Sequence, residues 1–297
     1  MMAKNNITTK QNEQTFIDRL AAQRHLYSKA KRLSNIVFFV CVLLPVLLAI
    51  AKVLYPECDR LPKIIVVYSV IATLLRIWLK DLSTSLKVTA ARIQQLFDCE
   101  LFGLEWNNAL CGAKPKPEDV LKATRGASYK KLNNWYETIV SQLPTSVGVL
   151  VCMRTNVVYD QSLRKAYSIL CYVLTFIAII AVAVLGMWKN AGMWDAFLYG
   201  IVPLMPLVTW VIDLHKQHSA NYKALCNIEP LLEAGFVQAK EHHCVNQNAL
   251  QEIQNFIFLH RKTSYLVPDL FYKLNRKKNE VAAYYGAEKV CEAYNLL

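Results

Sequence analysis

The stretch from Ala166 to Trp188, AYSILCYVLTFIAIIAVAVLGMW, contains no charged residue and no proline. At about 1.5 Å rise per residue it reaches roughly 34 Å, enough to cross a hydrocarbon core of about 30 Å. A buried helix of a soluble protein is seldom apolar on every side over such a length. Lys165 closes one end and Trp188 with Lys189 the other, residue types that suit the two membrane–water interfaces. The segment reads as a transmembrane helix, and the remainder has to be placed relative to a bilayer.

Three further apolar runs qualify. Leu33 to Ala51 is a first span, with Pro45 inside it; the proline frees a backbone carbonyl and kinks the helix, which membrane helices tolerate. Ile64 to Leu79 is a short second span interrupted by Arg76, one turn from Lys80, so both side chains can snorkel to one interface. Ala196 to Ile212 is a fourth, bent by Gly200, Pro203 and Pro206. The predicted fold class is an all-α membrane protein: four transmembrane helices as two hairpins, plus a mainly helical cytosolic body. The pieces are an N-terminal cytosolic helix (1–32), hairpin one (33–79), a central cytosolic segment (80–165), hairpin two (166–212) and a C-terminal cytosolic segment (213–297).

The water-facing pieces are patterned for helices. Residues 1–10 read as disordered, and 11–32 as an amphipathic helix leading into the membrane. Leu82, Leu86, Ile93, Leu96 and Phe97 form a stripe ending near Gly103, and a helical pattern resumes from Leu121 to Leu143 until Pro144 breaks it. Val147 to Val151 fits either a buried strand or a buried helical turn. Leu250, Ile253, Ile257 and His260 share a helix face.

The formal charge of +12 follows the membrane reading, since basic residues flank the cytoplasmic ends of spans. Arg24, Lys29, Lys31 and Arg32 precede span one; Arg76, Lys80 and Lys87 lie at or after the end of span two; Arg164 and Lys165 precede span three; Lys216 and Lys223 follow span four. Both termini and the central segment are expected in the cytoplasm, and no DNA or RNA partner is needed. The nine cysteines are scattered without a C-x-x-C pair, which fits reduced compartments rather than a disulfide framework. The polar N-terminus carries no apolar h-region of a cleavable signal.

No Gly-rich phosphate loop, G-x-S-x-G or H-E-x-x-H occurs, so an enzyme is not expected, nor a cofactor. Glu241-His242-His243-Cys244, with His260 further on, holds metal-ligand types, but the irregular spacing suits a solvated loop better. Cys152 reads as a small core residue rather than a nucleophile. Within the spans, no carboxylate or histidine sits mid-membrane, Asp195 lying near an interface; proton relays and selective ion sites need such groups. An apolar, weakly selective pore and a plain membrane anchor remain equally open.

Trp106, Trp135, Tyr136, Arg154, Arg164, Arg261, Tyr272 and Arg276 form an Arg and aromatic set in the cytosolic part. Guanidinium groups pair with phosphates and aromatic faces stack on bases, so a nucleotide would want both. Composition by itself favours the plainer reading, core aromatics with arginines that cap helices or bind lipid head groups.

Four phrases carry a family resemblance. Gln95 to Asn107, QLFDCELFGLEWN, resembles a Q-x-F-D-x-x-L-F-x-L-x-W-N element. Trp135-Tyr136 with Leu143-Pro144 resembles a following W-Y…L-P. Cys152-Met153-Arg154-Thr155-Asn156, then Asp160 and Leu163-Arg164, resembles C-Q-R-x-N…D-x-x-L-R, with Met153 where glutamine is usual. Ile253 to Phe258, then Arg261, Val267-Pro268-Asp269, Tyr272 and Glu280, resembles I-Q-x-x-I-F…R…I-P-D-x-x-Y…E. In this order around two membrane hairpins, they resemble the SMODS-associating four-transmembrane effector family.

The resemblance implies a bacterial anti-phage effector, associated with a nucleotidyltransferase that makes a cyclic di- or oligonucleotide on infection. Such an effector responds to that messenger and damages the inner membrane, so that the infected cell stops growing or dies. The expected partners are the cyclic nucleotide, the lipid bilayer and further copies of the chain. Trp106, Arg154, Arg164, Arg261, Tyr272 and Arg276 are the candidate ligand residues; Pro45, Gly200, Pro203 and Pro206 are the candidate pore or gating positions. A constitutive channel, a membrane-embedded enzyme and a scaffold whose cytosolic body binds a protein partner are the alternatives.

Overall fold

The computed structural model describes residues 5–55, 57–58, 60–188 and 202–296. Among these every regular element is a helix. In chain order they are α1 (Ile7–Lys10), α2 (Gln14–Phe38), a π turn (Phe39–Leu43), α3 (Leu44–Leu54), α4 (Arg60–Phe102), α5 (Asn108–Cys111), α6 (Pro117–Thr124), a 3₁₀ turn (Thr138–Gln142), α7 (Thr145–Trp188), α8 (Val202–His242), α9 (Gln247–Thr263) and α10 (Asp269–Ala293). Gly200, Asp195 and the turn expected at 190–192 lie outside the described residues, as does the side chain of Pro203.

Three of the rods, α4, α7 and α8, exceed 40 residues. Each joins an apolar half to an amphipathic half without a break. The two halves bury different things. Near its C-terminus α4 packs on α2 through small residues: fully buried Ala22 and Ala90 share a cluster with Leu26, Ile93 and Leu96 and let the backbones approach. Ser83 donates to the Ala30 carbonyl at 2.9 Å in that seam. Around it Phe16, Phe97, Phe102 and Tyr136 stack edge and face within 5.5–6.4 Å and close the core. The predicted stop at Gly103 is present: φ of +69° lets the chain turn, and the Leu104 N–H reaches back to the Cys99 carbonyl at 2.8 Å.

Along the apolar halves the side chains face outward. Phe176 on α7 and Val66, Leu74 and Trp78 on α4 are each about two-thirds exposed. Two stretches, Gln14–Lys52 and Thr145–Ala181, are long and apolar enough to cross a bilayer, and only 12% and 22% of their most apolar parts are buried within the protein. A core helix of a soluble protein would be mostly buried, so lipid is the medium that suits these faces. Arg76 on α4, expected only to snorkel, faces Asp213 on α8 at 3.6 Å, so a carboxylate stands beside the charge that interrupts span two.

Two local expectations are corrected. Residues 5–10 are not disordered: Ile7 is fully buried, worth about 1.5–3 kcal/mol of transfer free energy. The Asn5 amide donates to the Val140 carbonyl at 2.8 Å beside Gly148, where a Cβ would lie only 2.3 Å from the Asn5 nitrogen. The second correction is 121–143, which does not continue as one helix. It leaves α6 after Thr124 through Gly126 at φ +79°, and Lys131 and Asn134 are also left-handed. The irregular backbone survives because α1–α2 and the link between them satisfy it. Gln11 exchanges two hydrogen bonds with the Tyr136 main chain (2.7 and 3.1 Å), Asn12 accepts from the Asn134 N–H (2.9 Å), and Arg24 donates to the Lys130 and Lys131 carbonyls. Val147–Val151 resolves as the buried first turns of α7.

Candidate ligand cavity at the foot of the apolar stems

A cavity of about 500 Å³ opens between α2, the 131–136 loop, α7 and α10, with the end of α9 as its floor. Pockets for small ligands and cofactors commonly have such volumes. Its position follows from sequence spacing. Arg24, Tyr27, Ser28 and Lys31 fall at helical intervals on one face of α2, Thr155 to Arg164 face them from α7, and Tyr272, Arg276 and Tyr284 do so from α10. Eight Lys or Arg side chains line the space against three carboxylates, and Trp135 with six tyrosines supplies aromatic surface.

The cations differ in how far they are committed. Arg261 bonds Asp98 at 2.5 Å, and that carboxylate, 1% exposed, also accepts from Tyr136 (2.9 Å) and Gln254 (3.1 Å). Arg164 bonds Asp160 at 2.6 Å, Ser264 at 2.9 Å and the Tyr265 carbonyl, while His260 reaches the same Asp160 oxygen at 2.5 Å. Burial by itself would raise the Asp160 carboxyl; Arg164 and then His260 more than reverse it, holding the group well below the usual carboxylate range. These are internal ion pairs that fasten α7 and α4 to α9. At the rim the pairs are lighter: Lys31 to Asp269 at 2.9 Å and Arg276 to Glu280 at 2.5 Å. Lys31 also sits 5.1 Å above the Tyr272 ring.

Of the predicted ligand residues, Arg164, Arg261, Tyr272 and Arg276 meet in this cavity. Trp106 and Arg154 lie elsewhere. Trp106 donates to the Gly112 carbonyl at 2.9 Å and packs on Ala91, Cys111 and Phe258. Arg154 lies on another side of α7 against Gly286, its buried Nη1 without a hydrogen-bond partner among the described residues. Arg24, Lys31, Arg32, Lys131 and Lys273 were missed as cavity residues. The 24/27/28/31 spacing on α2 is the signal that could have found two of them, Arg24 and Lys31.

Among the described residues no three His, Cys, Asp or Glu groups are placed to hold a metal. His242, His243 and Cys244 line a second hollow of about 440 Å³ beside Pro144 and Ser146. Cys152 is 1% exposed, and burial, followed by Asp98, pushes its thiol well above the ordinary range, the opposite of an activated nucleophile.

Apolar stems rising from a helical body suit a membrane protein, and the basic, aromatic cavity at their foot is its candidate ligand site. The chain belongs to the family of the SMODS-associating 4TM effector domain, whose model matches residues 5–290. A relative from Bacillus cereus (strain VD146), named a probable CBASS effector molecule, is 27% identical over 284 residues, spanning 91% of this chain and 93% of its own length. No solved structure matches the chain. Family membership supports a role in anti-phage defence.

Proposed function

We propose that this protein is a non-enzymatic effector of bacterial anti-phage defence that binds a cyclic di- or oligonucleotide in the α2–α7–α10 cavity and then permeabilises the inner membrane as an oligomer. The observation that carries the reading is the cavity's composition joined to its location. Phosphates find Lys and Arg, bases find tyrosine and tryptophan faces, and two of its walls, α2 and α7, run on into the apolar stretches.

Four spans in two hairpins, with both termini and the central segment cytoplasmic, are the topology that suits this role. Outward-facing Ile64, Val66, Val70, Leu74 and Trp78 on α4 and the Arg76–Asp213 pair support the two spans that length and apolarity do not select. The ligand needs differential affinity for two arrangements to drive a change. The rim supplies a basis: phosphates compete with Asp269 for Lys31, loosening α10 from α2, and with Glu280 for Arg276 within α10. Pro45, Gly200, Pro203 and Pro206 would mark where the spans flex.

The test is dye release from vesicles of phosphatidylethanolamine and phosphatidylglycerol carrying the full chain, across a panel of cyclic di- and trinucleotides. Release that saturates with one cyclic nucleotide and is lost in Arg24→Glu and Lys273→Glu is expected. Leakage equal with and without every ligand, or no leakage despite measured binding, would overturn the pore reading in favour of a constitutive channel or a scaffold.

A further inference from the structure

α10 has two working faces, and only the inner one borders the cavity. Its outer face carries Leu270 and Leu274, 73% and 75% exposed, with exposed Lys277 and Lys278 just below them. The two carboxylates on this part of the helix, Asp269 and Glu280, are taken up by Lys31 and Arg276. The patch is thus greasy at one end and positive at the other.

Its height is fixed by contacts. The Phe271 ring meets Tyr167 at 5.4 Å, and Phe271 packs beside Cys171 and Leu214, at the level where α7 enters its long apolar run. Gly286 lies against Arg154, so α10 then runs alongside α7 away from that run. At about 1.5 Å per residue, Leu274 falls roughly 5 Å below Phe271, and Lys277 and Lys278 about 10 Å below. That range spans the headgroup layer, and lysine side chains are long enough to reach back to its phosphates.

We propose that the first three turns of α10 rest on the anionic headgroups of the cytoplasmic leaflet. Leu270 and Leu274 enter the boundary between headgroup and acyl chain, and Lys277 and Lys278 take lipid phosphates. Apolar residues beside lysines at the interface are the pattern of a surface-bound amphipathic segment, and the cytoplasmic leaflet carries the matching negative charge. Because Tyr272, Arg276 and Tyr284 line the cavity from the same helix, ligand and lipid act on one element from opposite sides. This rests on the membrane topology proposed above.

The experiment places the photocrosslinker p-benzoylphenylalanine in the full chain, reconstituted in vesicles of phosphatidylethanolamine and phosphatidylglycerol, at one of three sites. Leu274→p-benzoylphenylalanine tests the patch. Val173→p-benzoylphenylalanine, in the apolar run of α7, reports insertion, and Val237→p-benzoylphenylalanine, far along α8, reports bulk solvent. Lipid-mass adducts are expected at the first two sites and not the third. Adding Lys277→Glu with Lys278→Glu should lower the Leu274-site adduct at least five-fold and leave the Val173-site adduct unchanged. A Leu274 probe that captures a second copy of the chain, or nothing while Val173 captures lipid, overturns the proposal. Absence of lipid at Val173 as well would instead bring down the spanning topology on which it rests.

Discussion

Lys31 and Asp269 meet at 2.9 Å across the seam between α2 and α10, with the Lys31 ammonium also over the Tyr272 ring. Burial would raise the Asp269 carboxyl, and Lys31 reverses this to leave it lowered. The pair is partly exposed, so it is worth about 1 kcal/mol or less to folding. Its interest is its position at the cavity rim, two residues before the apolar run that starts at Leu33.

The two halves of this pair should act oppositely on ligand. Asp269→Asn frees Lys31 for phosphate and should tighten cyclic-nucleotide binding a few-fold, since about 1 kcal/mol corresponds to roughly five-fold in Kd. Lys31→Ala should weaken it by a similar factor or more. Both should lower the thermal midpoint slightly. Calorimetric titration in detergent checks the direction; equal shifts of the same sign would exclude competition at the rim.

Asp98 behaves differently because it is sealed in. Its oxygens serve Arg261, Tyr136 and Gln254, and burial followed by Asp98 itself pushes the Tyr136 hydroxyl well above its ordinary value. Removing one partner leaves a buried charge uncompensated, at a cost of about 3–5 kcal/mol. Asp98→Ala and Arg261→Ala should each destabilise the ligand-free protein strongly, and the double variant by less than the sum of the two. Thermal unfolding without nucleotide measures this. Loss of activity in Arg261→Ala would then report folding before it reports recognition.

Runs such as 166–188 and the stop at Gly103 were legible because one helix, taken alone, obeys its own periodicity and cap. Leu121–Leu143 misled because its apolar spacing was helical while its backbone was claimed by Gln11, Asn12 and Arg24 from a distant segment. The Arg and aromatic set is divided in space for a similar reason. Arg164, Arg261, Tyr272 and Arg276 line one cavity, but Arg154 sits on a face of α7 turned toward Gly286 and Trp106 lies in the link after α4, and side-chain chemistry records neither a helix's rotation nor a loop's path. The motif residues Asp98, Asp160 and Arg164 lie in buried ion pairs, whereas several looser cations at the rim sat in no motif.

Acid and alkaline limits should trace to two named groups. Asp160 is held low by Arg164 and His260, so the folded state binds its proton more weakly than the unfolded chain. Its stabilisation is complete above the ordinary carboxylate pKa of about 4 and is lost as pH falls below it. Asp160→Asn should flatten the acid limb. Burial, with a smaller push from Arg164, lowers Lys87 to about 8, where it donates to the Ser264 carbonyl at 3.0 Å. Between pH of about 8 and 10.5 the unfolded chain holds more protons at this site, so stability rises with pH across that window. Lys87→Met should remove that rise. Denaturant midpoints across pH in detergent test both slopes.

Pro45 and Tyr68 should prove coupled. Proline has no N–H for the Cys41 carbonyl, and its ring crowds that carbonyl. The helix answers with the π turn at Phe39–Leu43, in which the Leu44 N–H bonds the Phe39 carbonyl instead of that of Val40. The Val40 carbonyl is left over, and the Tyr68 hydroxyl of α4 donates to it, while Cys41 contacts the Ala72 carbonyl at 3.3 Å. Tyr68→Phe should therefore cost about 1–3 kcal/mol, the penalty for a buried polar group left unmatched. Pro45→Ala lets the Leu44 N–H return to Val40 and makes the tyrosine dispensable. In a double-mutant cycle read by unfolding in mixed micelles, Tyr68→Phe should then cost much less on the Pro45→Ala background than on the native one. If the bend is needed for opening, Pro45→Ala should also reduce nucleotide-evoked dye release while leaving nucleotide affinity unchanged.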